Sequence, residues 1–163
     1  MLQKLLLQSS DATTKLATAF APFMTAGSTI LLNGIVGAGK THFARQLILA
    51  RLIEINAVED IPSPTFTLVQ TYELNDVDIW HTDLYRLINF SEIYELGLDT
   101  AFDTAICLVE WSDKLGELVP KNALSLRLSI TDNDARLATL EWQSDTWTPI
   151  IKNVLKVMEN ASA

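Results

Sequence analysis

The stretch "STILLNGIVGAGKTHF", residues 28–43, decides the fold. A short apolar run stops at Asn33, and Gly34, Gly37, Gly39, Lys40 and Thr41 then follow in the order G-x-x-x-x-G-K-T. Glycines at these positions let the backbone curl until successive N–H groups converge on phosphate oxygens. A helix starting at the end of the loop adds the positive end of its dipole. The Lys40 ammonium then reaches the outer phosphates, and the Thr41 hydroxyl is placed to ligate Mg²⁺. A buried strand, this loop and a helix together form a P-loop, with Gly34, Gly37, Ala38, Gly39, Lys40, Thr41 and His42 as the phosphate-binding stretch. The competing reading is a structural glycine turn with a chance lysine; the flanking strand and helix weigh against it.

Working outward, "THFARQLILARLIEI" has no Gly or Pro to break a helix. Upstream, "LQKLLLQ" reads as a first strand. "SSDATTKLATAFAPFM" reads as a helix capped by Ser9 or Ser10, ending near Pro22 and Gly27. Downstream, "TFTLVQTYEL" and "VDIWHTDLY" read as strands around the turn residues Asn75 and Asp76. "NFSEIYELGLD" reads as a helix capped by Asn89 or Ser91, with Gly97 just past its end, and "AICLVEW" as a buried strand. "LSLRLSI" and "RLATLEW" flank "TDNDA" and predict a hairpin. The apolar stripe from Trp147 to Met158 predicts a terminal helix capped by Thr148, with Pro149 in its first turn. This alternation predicts an α/β fold: a mostly parallel central sheet flanked by helices, with a C-terminal β-hairpin and helix.

The chain of 163 residues predicts one domain over 1–163, and 48% apolar residues suffice for its core. The single cysteine, Cys107, lies in an apolar run and reads as a buried free thiol, which fits a reducing compartment. No apolar run approaches a membrane span, and the opening "MLQKLLLQSSD" turns polar too soon for a signal peptide. The expectation is a soluble cytoplasmic protein with no membrane partner. A net charge of −8 argues against a protein that grips nucleic acid by itself.

Glu110 follows four apolar residues at the exit of a strand, where the second acid of a P-loop site sits. Asp83 ends another strand. The spacing alone leaves open that each is a helix cap or a surface acid. Ser63, Thr65 and Thr67 lie in "SPTFT" before a strand, where hydroxyls can sense a terminal phosphate or simply build a turn. The two histidines, His42 and His81, lack metal-ligand spacing, and a hydrogen-bonded structural role is expected for both.

"GIVGAGKT", "SPTFTLV", "HTDLYRL", "LGL" and "CLVEW" occur in that order. In this the chain resembles the TsaE family of P-loop ATPases in bacterial tRNA threonylcarbamoyladenosine synthesis, over about residues 7–142. The resemblance implies ATP and Mg²⁺ as cofactors, and TsaD-like and TsaB-like partners that modify adenosine 37 of tRNAs reading codons that start with A. It implies that tRNA is met only through that complex, and that hydrolysis resets the complex without performing the transfer. It implies that Lys40 and Thr41 serve phosphate and metal, that Asp83 and Glu110 are the acids of the site, and that Thr65 and Thr67 belong to a switch-like segment. Trp111 would flank the nucleotide, with Thr13 and Arg136 near its base. Thr41 and Glu110 are assigned to the metal, and Asp83, Glu110, Lys40 and Thr65 to catalysis. The loop departs from the family pattern at Ile35, usually Asp, and at His42, usually a small hydroxyl residue.

Two other readings share the same loop: a small-molecule kinase, and a nucleotide-dependent switch with negligible hydrolysis. A kinase needs arginines to clamp a second phosphorylated group, and outside the loop helix the chain offers only Arg86, Arg127 and Arg136.

Overall fold

A computed structural model describes residues 1–161. Its centre is a mixed sheet built from β1 (Leu2–Leu7), β2 (Thr29–Asn33), β3 (Val69–Glu73), β4 (Asp78–Asp83), β5 (Ile106–Glu110), β6 (Leu124–Ile130) and β7 (Arg136–Glu141). The helices are α1 (Ser10–Phe20), α2 (Lys40–Glu54), α3 (Ser91–Leu96), α4 (Leu98–Thr104) and α5 (Trp147–Ala161). Across the sheet the order is β1-β7-β6-β2-β5-β4-β3. The four central strands β6, β2, β5 and β4 run parallel, as expected. Both edges are antiparallel: β3 pairs back on β4, and β7 and β1 extend the other side.

Alternation along the central strands explains the two cores. Ile30 and Leu32 of β2 and Leu108 of β5 face one way, against Leu16, Phe20, Phe43, Leu47, Trp147 and Val154 of α1, α2 and α5. Leu31, Cys107 and Val109 face the other way, against Ile93, Leu98 and Phe102 of α3 and α4. A strand buried on both faces reads as a continuous apolar run, which is why "TILL" and "ICLV" carry no polar alternation. The same parity turns Ile79, His81 and Asp83 of β4, and Glu110 of β5, toward the face carrying α2.

Several local expectations need correction. The strand expected over "TFTLVQTYEL" begins only at Val69. Before it, the Leu68 N–H donates to the Pro64 carbonyl at 2.7 Å, and Leu68 sits at φ 67°, which closes a turn where a strand was expected. Neither Asn89 nor Ser91 caps α3 through its side chain; Phe90 precedes the helix. Gly97, at φ 79°, does end α3, but it also starts α4, a helix not anticipated. Thr148 lies inside α5, which begins at Trp147, and its hydroxyl accepts from the Trp142 indole at 3.1 Å. Ser9, one of the two expected caps of α1, does accept from the Ala12 N–H.

Cys107 is a free thiol with no exposed surface. Burial pushes its pKa from 9.0 up to about 12. The folded thiol keeps its proton where the unfolded one ionises, so its contribution to stability is full below pH 9.0 and is lost as pH rises towards 12. Native protein at pH 8 is expected to leave an aromatic disulfide reagent unreacted until denaturant is added. Fast reaction without denaturant would contradict this burial. Among the described residues no helix is long and apolar enough to cross a membrane.

Candidate active site

The glycine loop joins β2 to α2 at the carboxyl end of the sheet. Gly34 is held at φ 143°, and a Cβ there would come within 2.5 Å of the Leu128 carbonyl oxygen, so only glycine fits beside β6. Gly39, at φ 109°, turns the chain into α2. The first N–H groups of α2 have no acceptor within the helix, which leaves donors at the mouth of the loop. Arg136 grips the outside of the loop: its Nε donates to the Ala38 carbonyl at 3.0 Å and its Nη2 to the Gly37 carbonyl at 3.2 Å.

Register brings the acids beside this loop. Leu32 of β2 and Asp83 of β4 both lie opposite Glu110 of β5, so three parallel strands end together. In open α/β sheets such a carboxyl-end crevice is where ligands bind. A cleft of about 360 Å³ opens there, lined among others by Gly37, Lys40, Thr41, Thr65, Asp83 and Glu110. A second cleft of about 450 Å³ adjoins it, with Thr13, Ala38, Asn133 and Arg136 in its wall. Gly39 and His42 belong to both clefts. The two clefts therefore meet beside the loop at the start of α2.

Within the first cleft the polar groups are already paired. The Thr41 hydroxyl donates to Glu110 Oε1 at 2.7 Å, and His81 Nε2 lies 2.7 Å from Glu110 Oε2. Asp83 accepts from the Thr65 hydroxyl at 2.9 Å and from the Tyr85 N–H at 2.9 Å. Lys40 Nζ donates to the carbonyls of Gly34 and Ile35 and sits 4.3 Å from the centre of the Trp111 ring. Burial lowers the Lys40 pKa below 10.5, and the nearby charges of Glu110 and Asp83 partly oppose that. Trp111 adopts φ 57°, a left-handed conformation that is costly for a bulky residue, and its ring packs on Tyr85 at 4.9 Å.

The structure thus gathers Lys40, Thr41, His42, Thr65, Asp83, Glu110 and Trp111 around one cleft, and Thr13, Ala38 and Arg136 around the next. Thr67 stands apart, accepting from the Gln70 side chain at 3.0 Å. His42 Nε2 lies 2.9 Å from the Thr14 hydroxyl, which ties α2 to α1 as a structural histidine would. Sequence reasoning did not place Tyr85 in the cleft, nor His81 on Glu110. The period of two along β4 was the available signal for His81, since it puts His81 and Asp83 on one face. Thr41 and Glu110 offer hard oxygen ligands within hydrogen-bonding distance of each other, a donor set that suits Mg²⁺.

Known proteins resemble the chain in sequence and in fold. The family model described as "Threonylcarbamoyl adenosine biosynthesis protein TsaE" matches residues 7–146. The chain is 40% identical over 135 residues to the tRNA threonylcarbamoyladenosine biosynthesis protein TsaE of Rickettsia bellii, covering 83% of this chain and 92% of that protein. It is 35% identical over 132 residues to the protein of the same name from Haemophilus influenzae, covering 80% and 78%. The crystal structure of YdiB from Bacillus subtilis superposes with a TM-score of 0.78 at 23% identity, covering 96% of this chain and 95% of that one, so the two share a fold. With the family match spanning the loop, both acids and the whole sheet from the end of β1 to β7, the chain belongs to the TsaE family.

Proposed function

We propose that the chain is an Mg²⁺-dependent ATPase, acting as one domain in the cytoplasm, that serves tRNA threonylcarbamoyladenosine biosynthesis. Family membership supports the pathway. The single observation that carries the chemistry is the convergence of Lys40, Thr41, Asp83 and Glu110 on one cleft at the start of α2. In this reading the loop N–H groups and Lys40 hold the β- and γ-phosphates, with Lys40 exchanging its loop carbonyls for phosphate oxygens. Thr41 and Glu110 would hold the Mg²⁺, which when bound neutralises phosphate charge. Asp83, its carboxylate oriented by Thr65 and the Tyr85 N–H, holds the attacking water. Thr13, Ala38 and Arg136 border the base. Trp111 closes the first cleft on the side of Lys40.

The partners in this reading are TsaD-like and TsaB-like proteins, with tRNA met only through them and hydrolysis resetting the complex. The net charge of −8 fits a subunit that leaves the grip on tRNA to others. The test is phosphate release from ATP by the chain alone and with both partners. Groups supplied in trans raise turnover steeply at such sites, so slow release alone and at least about a tenfold rise in the mixture is expected. Full activity alone, with phosphate passed to a small acceptor, would move the reading to a kinase; no release in either case would leave a binding switch.

A further inference from the structure

His81 is fully buried on β4 and has a single polar partner among the described residues, Glu110. Its other ring nitrogen, Nδ1, is buried and has no hydrogen-bond partner among the described residues. A core histidine kept only for packing gains nothing from this arrangement. An apolar ring would fill the same space without burying an unpaired lone pair. What the imidazole adds is one N–H aimed at one carboxylate oxygen. With the ring proton on Nε2, that N–H points at Glu110 Oε2. The other tautomer sets a ring lone pair against a lone pair of the carboxylate oxygen at 2.7 Å.

We propose that His81 is a positioning residue that pins Glu110 Oε2, so that Oε1 is presented to Thr41 and to a bound Mg²⁺. This rests on reading the cleft as an Mg²⁺-nucleotide site. Glu110 ends β5, and its side chain has more rotatable bonds than an aspartate in the same place. Its two oxygens are divided between two elements: Oε1 accepts from Thr41 of α2, Oε2 from His81 of β4. The His81 N–H takes one lone pair of Oε2 and fixes the plane of the carboxylate, so Oε1 is the oxygen turned toward Thr41 and the loop, and its direction toward a bound metal is set. Partners behind a metal ligand act this way, and their loss weakens metal affinity while leaving the other ligands in place.

The test measures ADP affinity of the whole chain by calorimetry, in excess EDTA and across a Mg²⁺ series, for wild type, His81→Phe and His81→Gln. The Mg²⁺ concentration giving half its full effect is expected to rise at least about tenfold in His81→Phe, with affinity in EDTA within about twofold of wild type, and His81→Gln is expected to recover most of the loss because its amide can still donate. A Mg²⁺ requirement unchanged in a folded His81→Phe overturns the role, as does a parallel fall of affinity in EDTA and in Mg²⁺. Nitrogen NMR of the ring in metal-free wild type gives a readout without any variant: a proton on Nε2 is expected, and a proton on Nδ1 alone overturns the proposal even if His81→Phe does not fold. ADP binding that ignores Mg²⁺ in wild type overturns the role of His81 alone. No ADP binding under any condition overturns the nucleotide reading and this role with it.

Discussion

Lys40→Ala is expected to lower affinity for ATP about 100-fold, since hydrogen bonds to charged groups contribute roughly 1.5–3 kcal/mol each and Lys40 supplies more than one donor. The nucleotide-free fold should survive the change. Lys40 is almost completely buried, and burial lowers its pKa from 10.5. The unfolded chain therefore binds that proton more tightly than the folded one. The charged amine opposes folding below the lowered pKa, and the cost disappears as pH rises from there towards 10.5. Lys40→Ala removes this cost together with its bonds to the Gly34 and Ile35 carbonyls. Equilibrium binding and a thermal melt check both halves. Unchanged affinity in a folded variant would sink the phosphate assignment of the loop.

Asp83→Asn is expected to reduce ATP turnover about 100-fold, within the range for loss of a positioned acid or base, at nearly unchanged ATP affinity. The local structure tolerates the change. The asparagine carbonyl still accepts from the Tyr85 N–H, and the Thr65 hydroxyl can accept where it now donates. Glu110→Gln separates the two acids. It leaves the water-orienting group alone but replaces an anionic metal ligand, so the Mg²⁺ requirement for binding should rise. Steady-state kinetics over a Mg²⁺ series read both effects. If the two variants exchange behaviours, Asp83 is the metal ligand and Glu110 orients the water. If both match wild type, neither acid belongs to the site.

The loop was legible because its determinants are local. Three glycines, one lysine and one hydroxyl act within eight residues, on a backbone whose allowed conformations follow from the side chains themselves. Glu110 and Asp83 could be read for a similar reason, each being the acid that ends a strand. The hairpin of β6 and β7 was legible from alternation around "TDNDA". Local signals failed where two tendencies competed. "TFTL" has strand-forming residues, yet the Leu68 to Pro64 hydrogen bond closes a turn there and leaves the Thr65 hydroxyl on Asp83. Gly97 has a left-handed conformation that ends one helix and opens another, and only the packing of Leu98 and Phe102 under the sheet shows the second.

By itself the sequence determined the α/β class, the strand–loop–helix unit at residues 28–55 and the two candidate acids, because backbone sterics and hydrophobic periodicity act between near neighbours. Tertiary structure alone decided which strands lie side by side. It put β1 at the far edge beside β7, inserted β2 between β5 and β6, and set Asp83 opposite Glu110. It also carried the Arg136 guanidinium to the Gly37 and Ala38 carbonyls and the His81 ring to Glu110. These pairings join residues far apart in the chain. They depend on sheet order and register, which are fixed when both faces of the central strands are buried at once and not by any one segment's preference.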